Sequence, residues 1–141
     1  MCGFVGIVNF EKDITQNKNI LEKMNQSLTR HDSDEEVFYT DSNILLGHKR
    51  LIGCKQSMTK TLPYGKYVIV YNGQLYNTED LRKILVGNDF TFNGHSDTEV
   101  LLYSYIHYGK DVVKYLNGIF AFAIWDSMEQ ELFIARDHFR H

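Results

Sequence analysis

The 141-residue sequence is poor in cysteine and proline and contains no long apolar run, and each shortage excludes a class of protein. Two cysteines are too few for a disulfide framework and fit a reducing compartment, so Cys2 is expected to act as a thiol. The longest strongly apolar stretch, residues 119–125, falls far short of the roughly 20 residues that a membrane span needs. Because the first residues carry no basic signal-peptide pattern, we expect a cytoplasmic protein.

Strong charge is also missing. With 15 basic and 18 acidic residues the net charge is -3, which predicts no attraction to nucleic acid or membrane and favours a small or neutral partner. The six histidines form no recognisable ligand cluster and no Walker-type glycine loop occurs, so neither a metal nor a nucleotide is expected. An apolar share of 43% with a single proline indicates one globular domain over residues 1–141.

The hydrophobic patterns predict the order β, α, β, β, β, α, α, β, β, which is an α+β class with largely antiparallel strands. The fourth strand is expected to stop at Asn72 and Gly73, a pair typical of turns. Ser96 and Glu99 have the spacing of a capping box and predict a helix start. The predicted strands are residues 3–9, 37–40, 44–51, 67–71, 119–125 and 132–135. The first predicted helix is 17–29, with Ile20, Leu21, Met24 and Leu28 buried. The later helices are 80–86, closed by Gly87, one that starts at the capping box and continues through 100–107, and a short helix after Gly109.

Cys2 is the first residue whose functional groups suit a chemical reaction. Removal of Met1 would leave a cysteine with a free α-amine, which titrates near pH 7.7 to 8.0, beside a thiol that titrates near 8.5. Nucleophile and base then stand on one residue, as in N-terminal nucleophiles. Taken alone, however, Cys2 is more simply interpreted as a small buried residue next to a start codon.

Six blocks, in order and across nearly the whole chain, change that interpretation. The blocks are Met1-Cys-Gly-Phe-Val-Gly-Ile7, Gly47-His-Lys-Arg-Leu51, Tyr71-Asn-Gly-Gln-Leu-Tyr-Asn77, Ser96-Asp-Thr-Glu-Val-Leu-Leu102, Leu116-Asn-Gly-Ile-Phe-Ala-Phe-Ala-Ile-Trp-Asp126 and Ala135-Arg-Asp-His-Phe139. Together they resemble the glutaminase domain of glutamine-dependent asparagine synthetases, which are class II glutamine amidotransferases. The resemblance implies a four-layer αββα N-terminal nucleophile hydrolase fold with two antiparallel sheets, acting on L-glutamine.

The resemblance also assigns roles. Cys2 would attack the glutamine amide and form a γ-glutamyl thioester, with Asn72 and Gly73 as the oxyanion hole. Arg50 and Asp97 would bind the α-carboxylate and α-ammonium groups of glutamine, because they carry the opposite charges. Without the blocks, a plain turn, a surface arginine and a capping aspartate would be the simpler interpretations. The remaining substrate-binding residues that the resemblance implies are Leu51, Gly53, Cys54 and Gln74.

The chain departs from the family pattern in three places. Arg30-His-Asp-Ser-Asp34 replaces the usual His-Arg-Gly-Pro-Asp, and Gln74 replaces a glutamate that would face the substrate ammonium. The sequence also stops where the family continues, so we expect an incomplete domain without its last strands, inclined to pair with another copy or chain. We expect this chain to lack the synthetase half, which would need ATP and magnesium. We rank three hypotheses for the chain. The first is a glutaminase domain that serves a synthetase, the second is a catalytically degenerate domain, and the third is a fragment.

Overall fold

The structure is a computed structural model that describes residues 3–26, 35–50 and 66–137. The chain forms two compact units, residues 1–59 and 60–141. Each unit holds a three-stranded sheet with helices, and every strand pair in the described ranges is antiparallel. This confirms the predicted α+β class with two antiparallel sheets.

The order of strands and α-helices is the one that the sequence predicts. The short helix expected after Gly109 is present as a 3-10 helix, Gly109–Tyr115, and a second 3-10 helix, Thr15–Asn17, was not predicted. In chain order, the elements are β1 (Gly3–Val8), α1 (Lys18–Gln26), β2 (Glu35–Asp41), β3 (Ile44–Arg50), β4 (Tyr67–Leu75), α2 (Thr78–Gly87), α3 (Asp97–Tyr108), β5 (Gly118–Asp126) and β6 (Glu131–Arg136).

The first unit is a sheet of order β1-β3-β2 with α1 packed on it. Leu21 of α1 is fully buried against Leu45 of β3 and Ile14, as an amphipathic helix requires. Ile20, predicted to share the buried stripe, is 47% exposed, so the stripe is narrower than expected. Leu28 lies outside the described residues.

The second unit is a sheet of order β4-β5-β6 whose helix-facing side forms the larger core. Side chains alternate across a strand, so one set of β4 and β5 residues meets α2 and α3 while the other set occupies the opposite face. The helix-facing set is buried and consists of Ile69, Tyr71, Leu75, Phe120, Phe122 and Ile124, packed with Leu81, Leu85, Val100, Leu101, Leu102, Tyr103 and Val112. On the opposite face, Val68, Val70, Ala123 and Trp125 are also buried.

Most predicted strand ends lie within two residues of the observed ones, and the differences that matter for the site are in β4 and α2. Strand β4 does not stop at Tyr71 but continues to Leu75, and Asn72 and Gly73 pair with Ala121 and Phe120 of β5. The Asn-Gly pair therefore makes no turn here. Helix α2 begins at Thr78, two residues earlier than expected. It does end at Gly87, but the positive φ that follows is at Asp89, so Gly87 is the last helical residue and not a left-handed cap.

Candidate functional site

Strand β4 changes character half-way along its length. Residues 68–71 are buried, whereas Asn72 and Gly73 are half-buried and Gln74 is exposed. The Tyr76 N–H donates to the Asn117 carbonyl at 2.7 Å, which fixes the phase of the ladder. In an antiparallel pair, alternate N–H groups point toward the partner strand. The N–H groups of Gly73 and Leu75 are therefore directed away from β5, toward the edge of β4 that no described strand covers.

Gly73 is required by the close approach of β5. Its φ is 134°, and a Cβ atom built there would lie 2.1 Å from the Ile119 carbonyl oxygen and 2.7 Å from the Phe120 Cα. Both contacts are with backbone atoms, which cannot rotate away. Across the ladder, a Cβ on Gly118 would lie 2.2 Å from the Gln74 carbonyl oxygen. Only glycines let the two backbones meet at this end of the sheet.

Asp97 lies beside this edge. It is the first residue of α3, directly after the N-cap Ser96, whose hydroxyl accepts a hydrogen bond from the Glu99 N–H at 3.3 Å. The Leu75 N–H donates to the Asp97 carboxylate. Burial raises the pKa of the Asp97 carboxyl above its ordinary value, while the Leu75 N–H and the Arg82 guanidinium act in the opposite direction. The predicted neighbours, Asn72 to Gln74 and Asp97, are thus brought to one edge of the second unit.

The loop that leads into α3 is anchored by side-chain contacts that the sequence analysis did not predict. Glu99 is completely buried, and its carboxylate accepts a hydrogen bond from the Asn93 N–H at 2.6 Å. The Tyr103 hydroxyl donates to the Thr91 carbonyl at 3.0 Å. Arg82 donates to the Gly94 carbonyl at 3.0 Å and lies 4.3 Å from the centre of the Phe92 ring. These contacts fix the position from which Asp97 starts α3.

Asn77, at the end of the Tyr71–Asn77 block, joins two parts of the chain. Its side-chain amide donates to the Tyr115 carbonyl at 2.8 Å, and its side-chain oxygen accepts a hydrogen bond from the Asn117 N–H at 3.0 Å. It is also the N-cap position of α2, where its side chain makes no capping bond. The block therefore ends in a structural contact that holds the start of β5 beside the end of β4.

Asp137, in the last of the six blocks, extends the pairing of β6. Its N–H donates to the Phe120 carbonyl at 2.9 Å, and its Oδ1 accepts a hydrogen bond from the Phe120 N–H at 3.3 Å. Phe120 is the register partner of Gly73. Asp137 therefore fixes the part of β5 whose backbone lies closest to Gly73, a role that the sequence pattern did not indicate.

The other predicted site residues belong to the first unit. In the β1–β3 ladder, Gly3 lies opposite Lys49. Gly3 directly follows Cys2 in the sequence, and Lys49 directly precedes Arg50. The backbone of Arg50 ends β3 opposite Glu35. Cys2, Leu51, Gly53 and Cys54 lie outside the described residues, so their predicted roles stay predictions.

Two other kinds of site can be judged only where the structure is described. Within residues 3–26, 35–50 and 66–137, no three histidine, cysteine, aspartate or glutamate side chains converge as a metal site would require. No helix in the same ranges has both the length and the apolar character needed to cross a membrane.

Comparison with known proteins decides the family. The profile of the glutamine amidotransferase domain matches residues 1–141, the whole chain. The chain belongs to this family. Two proteins from Bacillus subtilis are similar to nearly the whole of this amidotransferase domain. Asparagine synthetase [glutamine-hydrolyzing] 3 is 46% identical over 97% of the chain, and asparagine synthetase [glutamine-hydrolyzing] 1 is 36% identical over 99%. The chain spans 23% of the length of each.

A solved structure supports the fold of this amidotransferase domain. The glutamine phosphoribosylpyrophosphate (PRPP) amidotransferase from B. subtilis, complexed with ADP and GMP, matches 97% of the chain with a TM-score of 0.69 and 22% identity. The chain covers 37% of that protein. A likeness of this size at so low an identity shows the fold alone, and it supports the α+β fold with two antiparallel sheets predicted from the sequence.

Proposed function

We propose that this domain hydrolyses the side-chain amide of L-glutamine to glutamate and ammonia. The observation that carries the proposal is the edge of β4, where the N–H groups of Gly73 and Leu75 point outward and a partly buried carboxylate, Asp97, lies against one of them. An anionic group beside outward N–H donors suits a substrate that has an ammonium group and develops a negative oxygen. Membership of the glutamine amidotransferase family supports the same substrate.

The proposed reaction has two steps. The Cys2 thiolate attacks the amide carbon of glutamine, the carbon–nitrogen bond breaks, and ammonia leaves with the proton that the α-amine took from the thiol. Water then attacks the γ-glutamyl thioester, which releases glutamate and restores the thiol. Asn72 and the Gly73 N–H stabilise the tetrahedral oxyanion in both steps.

Substrate recognition is assigned to the charges at the two ends of the amino acid. Arg50 binds the α-carboxylate through its planar pair of donors, and Asp97 binds the α-ammonium. Gln74 contributes a neutral oxygen where the family usually has a carboxylate, which weakens the attraction for the ammonium. The loop residues Leu51, Gly53 and Cys54 complete the glutamine site through their backbone atoms, so a change of side chain at Cys54 leaves that contact in place.

The ammonia serves a partner activity. By analogy with the asparagine synthetases, we propose that it passes to a synthetase domain or subunit that uses ATP and magnesium and makes an amide, with asparagine as the default product. The glutaminase step itself requires no cofactor in this proposal. We further propose a cytoplasmic location, which the low number of cysteines suits, and a homo-oligomer formed by pairing of edge strands.

Release of ammonia and glutamate from L-glutamine is the direct test. Cys2→Ala should lower turnover by on the order of 10⁴-fold or more, because it removes the nucleophile. Cys54→Ser is the matched control and should keep most of the activity. Equal losses in the two variants would contradict Cys2 as the sole nucleophile, and no turnover in any form would favour the degenerate-domain hypothesis.

Processing of Met1 provides a second test. While Met1 is attached, the nitrogen of Cys2 is an amide and cannot act as a base. Protein made with methionine aminopeptidase should hydrolyse glutamine, and protein that retains Met1 by intact mass should not. Equal rates would show that the α-amine is not the proton acceptor.

A further inference from the structure

Tyr71 has a buried hydroxyl that the core does not use. The residue is 1% exposed, and its ring packs in the core that β4 and β5 share with α3. The hydroxyl oxygen is buried and makes no hydrogen bond of ordinary length and angle with the described residues, although the Leu75 N–H is close enough to lower its pKa. A buried hydroxyl without a partner lowers stability, whereas a phenylalanine would fill the same space without that cost.

The hydroxyl faces the candidate site. Tyr71 and Leu75 are four residues apart on β4 and share its helix-facing side, and between them stands Gly73, which has no side chain. Burial raises the pKa of the Tyr71 hydroxyl, and the Asp97 carboxylate raises it further. The Leu75 N–H lowers the pKa of both Tyr71 and Asp97, so both oxygens lie close to this one amide.

The Asp97 carboxylate has room for a second donor. Leu75 supplies one N–H, and Arg82 acts on Asp97 through its charge while its Nη1 donates to the Gly94 carbonyl. A carboxylate offers about four lone-pair positions, so a second donor still leaves acceptors for a ligand. Tyr71 is a donor close to Asp97 that has no hydrogen bond elsewhere among the described residues.

We propose that Tyr71 is a positioning residue of the glutamine site, whose hydroxyl donates to the Asp97 carboxylate when the substrate ammonium binds and so fixes the direction of the carboxylate. The inference rests on the proposed function and deepens it, because it assigns the specificity for the α-amino group to a pair of residues. The hydroxyl is already desolvated and held by the core, so the hydrogen bond costs little further ordering.

Binding measurements in a Cys2→Ala background separate this role from catalysis. The dissociation constants of L-glutamine and of glutaramate, which is glutamine without its α-amino group, are measured by calorimetry with and without Tyr71→Phe. We expect Tyr71→Phe to weaken glutamine binding about tenfold, as loss of a hydrogen bond to a charged group does, and to leave glutaramate binding unchanged. The melting temperature should stay the same or rise, because the lost hydroxyl had no partner.

Tyr105→Phe is the matched control. Tyr105 is on the same helix as Asp97 and half-buried, but its ring lies against Phe133 and Tyr67, at the opposite end of β4. This variant should change neither dissociation constant.

Each remaining outcome has one meaning. If Tyr71→Phe binds glutamine as tightly as the parent, or loses affinity for both ligands equally together with a lower melting temperature, the positioning role is wrong. If the Cys2→Ala protein binds glutamine with the expected dependence on Tyr71 but the unaltered chain releases no ammonia, the inference stands and the proposed hydrolysis fails. If the chain binds no glutamine at all, both fail.

Discussion

The two halves of the β4–β5 pair belong to one continuous ladder but differ in burial and in polarity. In the half around Ile69, Tyr71 and Phe122, side chains fill a core and are buried. In the half around Gly73, the strands approach through glycine, β4 carries the polar side chains of Asn72 and Gln74, and the outward Leu75 N–H meets the carboxylate of Asp97. The buried half supplies rigidity, and the polar half carries the residues that we propose for glutamine hydrolysis, as expected for a precise site supported on a regular element.

If this division is correct, a change in the buried half should affect stability alone. Phe122→Ala removes a fully buried ring from the centre of β5 and should lower the free energy of unfolding by about 3 to 5 kcal/mol. The chain has a single tryptophan, the buried Trp125, so its fluorescence reports urea unfolding of this unit. Ile119→Ala, at a 40% exposed position on the same strand, is the control and should cost less than about 1 kcal/mol. If Phe122→Ala and Ile119→Ala lowered the free energy of unfolding by similar amounts, the two halves of the ladder would not differ in their contribution to stability.

Gly73→Ala tests the polar half, where stability should depend on the backbone and not on burial. A methyl group there meets the β5 backbone at a φ that favours glycine, so we expect a loss of about 3 kcal/mol, together with loss of glutamine turnover. In the matched control, Gly87→Ala, the added methyl group meets nothing within 4 Å, and the change should be neutral or stabilise by up to about 1 kcal/mol. If Gly73→Ala had the same free energy of unfolding in urea as the unaltered chain, the close approach of the β4 and β5 backbones at Gly73 would be refuted.

Asp97→Asn should separate binding from stability. Removing the charge should raise the KM for glutamine about 10-fold to 100-fold, with a smaller change in kcat. Because burial raises the pKa of Asp97 in the folded state, the ionised carboxylate opposes folding. Below the unfolded pKa of about 3.9 both states are protonated and this cost is absent, and it appears as pH rises through the folded pKa.

The melting temperature of Asp97→Asn should therefore exceed that of the unaltered chain at about pH 7 and match it near pH 3. Over the same rise in pH, the unaltered chain should gain glutamine affinity. A melting-temperature gap that is widest at low pH would contradict the assigned direction of the pKa shift.

The smallest effect is expected at the helix start that carries Asp97. Ser96→Ala removes the hydroxyl that accepts from the Glu99 N–H and should cost about 1 kcal/mol. Ser96→Gly, which keeps the backbone freedom of a cap, should cost only a few tenths of that. Thermal unfolding with both variants measures the difference, and equal values would mean that the hydroxyl does not cap α3.

Local patterns were sufficient to predict most of the fold. Alternation and helical spacing gave the order of elements, and the spacing of Ser96 and Glu99 located the start of α3. The prediction failed at Asn72 and Gly73, since a pair that permits a turn also permits close backbone contact, and only the distant strand β5 decides between them. It also failed for Ile20, because spacing alone does not show how wide a buried stripe is.

The candidate site was predictable in part. Membership of the family and the position of Asp97 followed from motifs, but its contact with Leu75 did not, because the two residues are distant in sequence. The contacts of Glu99, Asn77 and Asp137 were missed for a related reason. Each joins a side chain to a backbone group of another segment, and no residue pattern records such a partner.

The side-chain bridge of Asn77 has a consequence for folding. Strand β4 must pair with β5 across the helical segment between Leu75 and Gly118, which are 43 positions apart (118 − 75). Closing a chain loop of that size costs roughly 3 kcal/mol of entropy by the logarithmic relation, whereas the β5–β6 hairpin is local. Asn77 binds both Tyr115 and Asn117 at the neck of this loop, so one residue ties its ends together. The rate at which the polar edge forms is therefore set by a long-range closure, and Asn77 is where a φ-value measurement should detect it.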